Sequence, residues 1–287
     1  MGSGRRWRAL LLWLLVLAGV LGLIVAGGIW AVSFFKPFAA PLAQGCRAAA
    51  DGTEYSLALD QTENAALITA VSVRRGMPAR AASIGLATAI QESKLRNITH
   101  GDLDSLGLFQ QRPSQGWGTE EQILDRFHST NAFFDVLATV PGYEDMPITE
   151  AAQIVQRSAY PDAYAQREPT GKAFASALTG HSPAALSCTL TAPDGTGSPA
   201  AVADALDAAY GSVPSQIDGA LLSVAASETA GWSYAQWAVA NAQSLAITEV
   251  SFAGQRWVRG NNDGSRNAGW HSTGAEPGPV VITVAQP

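Results

Sequence analysis

From Ala9 to Phe35 the chain carries no charged position, a run of 27 apolar and small residues. A helix of that length can cross the ~30 Å hydrocarbon core of a bilayer. Arg5, Arg6 and Arg8 precede the run, and positive flanks stay cytoplasmic. No clear small-x-small cleavage site follows it. The pattern predicts a cytoplasmic N-terminus over 1–8 and an uncleaved transmembrane anchor over 9–35. A tether over 36–45 then leads to extracytoplasmic domains held at the plasma membrane.

Beyond residue 45 the apolar positions take up helical spacing. Thr62 is a predicted cap for a helix running to Gly76, and Pro78 suits the first turn of the next, which ends near Leu95. In the second, Gly85, Thr88 and Ala89 share a face with Glu92. Thr119-Glu120-Glu121-Gln122 reads as a capping box opening a helix with Ile123, Phe127 and Phe134 on one side. Thr149 and Thr170 are predicted caps for two more, the last stopping at Gly180. Between them LDSLGLFQQ alternates and predicts a short strand or hairpin. TLTAPDGTGSP, over 189–199, reads as a linker. After it AAVADALDAAYG and GWSYAQWAVANAQSLA read as helices, GALLSVAA and PVVITVA as strands, and ITEVSFAGQRWVRG as a hairpin. These elements predict a mainly α domain with a small β element over 46–188 and a small α+β domain over 200–287.

Charge narrows the partners. Of the 18 Lys and Arg residues, four lie in residues 1–45, which hold no acid, so the remainder carries 14 basic against 24 acidic residues and a formal charge of −10. A nucleic-acid partner, which needs a basic footprint, is excluded. Cys46 and Cys188 bracket the first domain, and outside the membrane an even pair predicts a disulfide. The competing reading is lipid modification of Cys46 within AQGC. His100, His128, His181 and His271 show no ligand spacing, so neither a metal nor another cofactor is expected. Asp102-Leu103-Asp104 does not continue into a calcium loop, because Leu106 and Pro113 occupy ligand positions.

The candidate chemistry centres on Glu92. It closes SIGLATAIQES, a run otherwise suited to burial, and glutamate is rarely buried without a partner. A carboxyl kept protonated by an apolar site can serve as a general acid. Glu92-Ser93 is followed by Gly107-Leu108-Phe109-Gln110, eighteen positions separating Glu92 from Gln110. This pattern resembles the soluble lytic transglycosylases and goose-type lysozymes of the lysozyme-like superfamily. Its specific part lies in residues 91–117. The whole chain also resembles membrane-anchored proteins of high-G+C Gram-positive bacteria.

The resemblance implies a lysozyme-like fold for 46–188. It implies a peptidoglycan-cleaving enzyme acting on the MurNAc-GlcNAc bond, with Glu92 as the single catalytic residue and glycan strands as partner. Ser93, Gly107, Leu108, Phe109 and Gln110 would then lie at the substrate. Trp117 reads either as a surface that stacks on sugar or as core packing. Transglycosylases carry Ala-Tyr-Asn-Ala-Gly late in the domain, with a tyrosine that orients the glutamate. Here the region reads QRSAYPDAYA, which makes Tyr160 the first candidate and Tyr164 the second. Lytic or hydrolytic outcome stays open, as does a second carboxylate from Asp102 or Asp104. Trp232, Trp237, Trp257 and Trp270 read either as core or as a carbohydrate platform. A glycan-binding scaffold of the cell envelope is the alternative function.

Overall fold

The structure is a computed structural model that describes residues 44–158, 161–260, 269–276 and 278–287. The anchor expected over 9–35 and Tyr160 lie outside the described residues. Among the described residues no helix is long and apolar enough to cross a membrane.

The expected mainly α, lysozyme-like architecture is corrected by the structure. The described chain is mixed α and β, about 44% helix and 19% strand, with two sheets. The smaller sheet has the order β2-β1-β3, from β1 (Gly45–Ala50), β2 (Thr53–Leu57) and β3 (Leu186–Thr189), all antiparallel. Asp51 and Gly52 join β1 to β2 with φ of 50° and 75°, the conformation that the Asp-Gly pair favours in a two-residue hairpin. Cys46 lies opposite Cys188 in the β1–β3 register and the two form a disulfide. The pairing closes a sequence separation of 142 residues.

Five helices build the layer around the candidate site: α1 (Leu59–Arg74), α2 (Ala79–Ser93), α3 (Glu120–Leu124), α4 (Arg126–Ala138) and α5 (Ile148–Gln156). A 3-10 helix (Pro161–Arg167) leads into α6 (Glu168–Leu178). Helix α2 is central, with every residue from Ala81 to Ala89 buried. Its small residues let neighbours approach closely. A Cβ on Gly85 would stand 3.2 Å from both Ile68 and Phe134, and one on Gly171 of α6 would stand 3.0 Å from the α2 backbone.

The helix ends differ from expectation in informative ways. Thr62 does not cap α1. It lies inside the helix and donates to Ala58 O at 2.8 Å, while Gln61 accepts from Ala58 N. Thr149 and Thr170 likewise fall inside α5 and α6 rather than ahead of them. The Thr119 capping box forms, but its helix ends after five residues at Asp125. Asp125 then caps α4 through the Phe127 and His128 amides. The predicted LDSLGLFQQ strand is reduced to one bridge, Leu106 to Gln111, around a turn.

The C-terminal part forms the larger sheet, order β4-β5-β9-β6-β7-β8, every pairing antiparallel. Its strands are Ser215–Asp218, Leu221–Val224, Ile247–Phe252, Gln255–Val258, Gly269–Ser272 and Val280–Val284, β4 to β9 in chain order. Two helices pack on it, α7 (Pro199–Tyr210) and α8 (Glu228–Ala240). Buried Gln236 of α8 donates to Ala177 O and Ser182 O and accepts from Ala185 N and Leu186 N. One amide thus satisfies four backbone groups of the preceding segment, where each unpaired group would cost about 1–3 kcal/mol. The described residues form one compact unit. Trp232, Trp237 and Trp257 are buried in it, and Trp270 donates its indole N–H to Leu186 O at 2.8 Å. Trp232, Trp237 and Trp257 are core, and Trp270 is partly buried against it.

Candidate active site

Glu92 stands one residue before the C-terminus of α2, half-buried at the floor of a cleft of about 500 Å³. The helix stops there because Lys94 and Leu95 both turn left-handed, with φ of 55° and 57°. Their amides close back onto Ile90 O and Ala89 O. Two consecutive side-chain-bearing residues in this region are costly, and α1 holds them in place. Gln61 donates to Lys94 O at 2.8 Å, and buried Asn64 donates to Leu95 O at 2.7 Å while accepting from Arg126. Nine non-glycine residues of the described chain have positive φ. Five concentrate here: Lys94 and Leu95 after the glutamate, and Leu103, Gln110 and Arg157 on the cleft wall. Such clustering of backbone strain is characteristic of functional sites.

Two polar side chains adjoin the carboxylate, and one of them is hydrogen-bonded to it. Tyr164, fully buried in the 3-10 helix, donates its hydroxyl to Glu92 Oε1 at 2.5 Å. Gln156, the last residue of α5, is the second. Burial pushes the Glu92 carboxyl above its ordinary range, outweighing the downward pull of Tyr164 and then Gln156. Burial, and then the neighbouring carboxylate, push the Tyr164 phenol up as well, which keeps it a proton-bearing donor. Among the described residues the tyrosine that meets Glu92 is Tyr164, the second of the two sequence candidates.

The Gly-Leu-Phe-Gln segment supports the glutamate from beneath. Ser93 is buried and donates to Leu108 O at 2.7 Å, joining the helix end to this segment. Leu108 and Phe109 are fully buried, and Phe109 stacks on Phe133 with ring centroids 4.5 Å apart. Gly107 takes φ 75°, and a Cβ there would meet Ile123 O at 2.8 Å, so the position requires glycine. Of these five residues Gln110 alone lines the cleft. Ser93, Gly107, Leu108 and Phe109, expected at the substrate, instead shape the wall behind it. Trp117 lines the cleft as well.

The two aspartates separate. Asp104 accepts from the Ser114 amide, the Arg112 guanidinium at 2.6 Å and the Ser114 hydroxyl. These bonds hold its carboxyl far below the usual range. It is a brace for the loop. Asp102 lines the same cleft as Glu92. Gln156 went unnoticed in the sequence. It donates to Phe109 O at 2.6 Å and so ties α5 to the segment under Glu92. A glutamine at a helix end carries no distinguishing local signal. Among the described residues no three His, Cys, Asp or Glu side chains gather in a way that could hold a metal ion. No family model matches this chain, and no curated protein matches it.

Proposed function

We propose that this protein cleaves the glycosidic bond between MurNAc and GlcNAc in peptidoglycan, with Glu92 as the acid. The observation that carries the reading is a carboxyl raised by burial, oriented by Tyr164 at 2.5 Å, on the floor of an open polar cleft. A protonated Glu92 gives its proton to the glycosidic oxygen as the bond from the anomeric carbon breaks. The carboxylate so formed takes a proton from the attacking hydroxyl, of water or of the sugar's own C6. Asp104 is held by Arg112 and Ser114, which removes it as a second carboxylate and leaves Asp102, on the wall of the same cleft. The likeness of Glu92-Ser93 and Gly107-Leu108-Phe109-Gln110 to the lytic transglycosylases supports the same assignment. An extracytoplasmic site of action is supported by the Cys46–Cys188 disulfide, since such bonds persist in oxidising compartments.

The test is mass spectrometry of products released from purified cell wall. Anhydro-muramyl ends identify a lytic transglycosylase, and new reducing ends identify a hydrolase. Absence of both rejects the enzymatic reading in favour of a glycan-binding scaffold.

A further inference from the structure

We infer that the groove continues beyond Glu92 into a second chamber, where Arg157 binds a carboxylate on a short peptidyl substituent of the glycan. The inference rests on the glycan-directed reading above and adds the part of the substrate that is not sugar. A second hollow of about 450 Å³ adjoins the Glu92 cleft. The two share Gln115, Trp117, Gln156 and Arg157 on their walls. Val136 and Val155 add an apolar side, and no acidic residue lines the second hollow.

Arg157 is the charge in that chamber. The other arginine of the groove, Arg112, is neutralised by Asp104 at 2.6 Å. Arg157 is exposed and has no ion-pair partner among the described residues. Its backbone is left-handed, φ 51° and ψ 39°, where it caps α5. Gln153 fixes this turn, accepting the Arg157 amide on its backbone oxygen at 2.8 Å and donating its side chain to Ser158 O at 2.7 Å. The turn itself is best served by glycine, so the guanidinium supplies something the turn does not need.

The chemistry of the ligand follows from these walls. A guanidinium matches a carboxylate in a paired, two-pronged geometry. Trp117, Val136 and Val155 offer apolar surface to the carbon skeleton that carries it. Residues 46–287 have a formal charge of −10, so an anionic substituent needs a local cation to enter. A chamber of this size accommodates a substituent of a few residues.

The test uses the full chain carrying Glu92→Gln, so that any substrate survives, and measures equilibrium binding. The probes are soluble peptide-bearing glycan strands, native or with carboxylates converted to methylamides. Native strands are expected to bind about tenfold tighter than amidated ones, as for one partly exposed charged hydrogen-bonded pair. Adding Arg157→Gly, which suits the left-handed backbone and keeps the fold, should lower native affinity to the amidated level and leave the amidated value unchanged. Arg157→Lys should retain part of the preference. Equal affinity for the two probes, no binding to either, or an equal loss on both with Arg157→Gly overturns the inference. Amidated strands keep any phosphate they bear, so undiminished binding of these also refutes a carboxylate site. Failure of the unmutated protein to release products from cell wall rejects the enzymatic reading separately and leaves this comparison readable.

Discussion

Replacing Glu92 with glutamine separates catalysis from architecture. Glutamine keeps the shape and an acceptor for the Tyr164 hydroxyl, which now stands 2.5 Å from Glu92 Oε1. It cannot give a proton to a leaving oxygen. General acid catalysis contributes about 10²–10⁴-fold, which at 1.36 kcal/mol per decade is about 3–5.5 kcal/mol of barrier. The rate of product release from cell wall should fall by at least that factor. The fold should gain. A neutral acceptor gives up about 1 kcal/mol of the charge-assisted hydrogen bond, but the desolvation of the carboxylate, the largest cause of its raised pKa, disappears. The pH dependence follows from that direction. A carboxyl raised in the folded state contributes stability below its unfolded pKa of 4.5 that is lost as pH rises through the folded value. The variant should therefore melt above the parent at pH 7, and the gap should close below pH 4.5. Glu63, also raised, is common to both proteins and cancels in the difference. Glu120→Gln, at the exposed start of α3, is the control and should cleave normally. Near-parental turnover by Glu92→Gln would refute the assignment of the acid.

Tyr164→Phe should lower turnover about tenfold and move the alkaline limb of the rate profile to higher pH, because it removes a donor that holds the Glu92 carboxyl down. An unmoved limb would show that the tyrosine does not tune the acid. Gly107→Ala should cost about 2–3 kcal/mol in urea unfolding, from positive φ combined with a 2.8 Å approach to Ile123 O; a stability unchanged within 0.5 kcal/mol on the ~1 kcal/mol scale of ordinary substitutions would contradict the packing described. Reduction of Cys46–Cys188 should remove up to about 5 kcal/mol in the chain-entropy model for a loop of this length. Labelling of both cysteines under non-reducing, denaturing conditions would show that the bond is not formed.

Local chemistry made several features legible in the chain itself. The Thr119 capping box, the start of α2 at Pro78 and the place of Glu92 in its last turn depend on side chains within four positions of one another. So do the alternating strands β5, β6 and β9, whose inward residues Leu222, Val250 and Ile282 are buried. The disulfide was legible because two cysteines allow one internal pairing. The break at Asp125 was hidden, since Ile123, Phe127 and Phe134 keep helical phase across it. Only the folded chain decided what lay far apart in sequence. Tyr164 meets Glu92 across 72 positions, a contact set by how the 3-10 helix docks. Phe109 faces the core, where it stacks on Phe133. Gln236 is buried because four backbone groups on another segment need partners. Sequence spacing records what neighbours along the chain do to each other; a hydrogen bond or a packed ring between distant segments exists only once the backbone has brought both ends together.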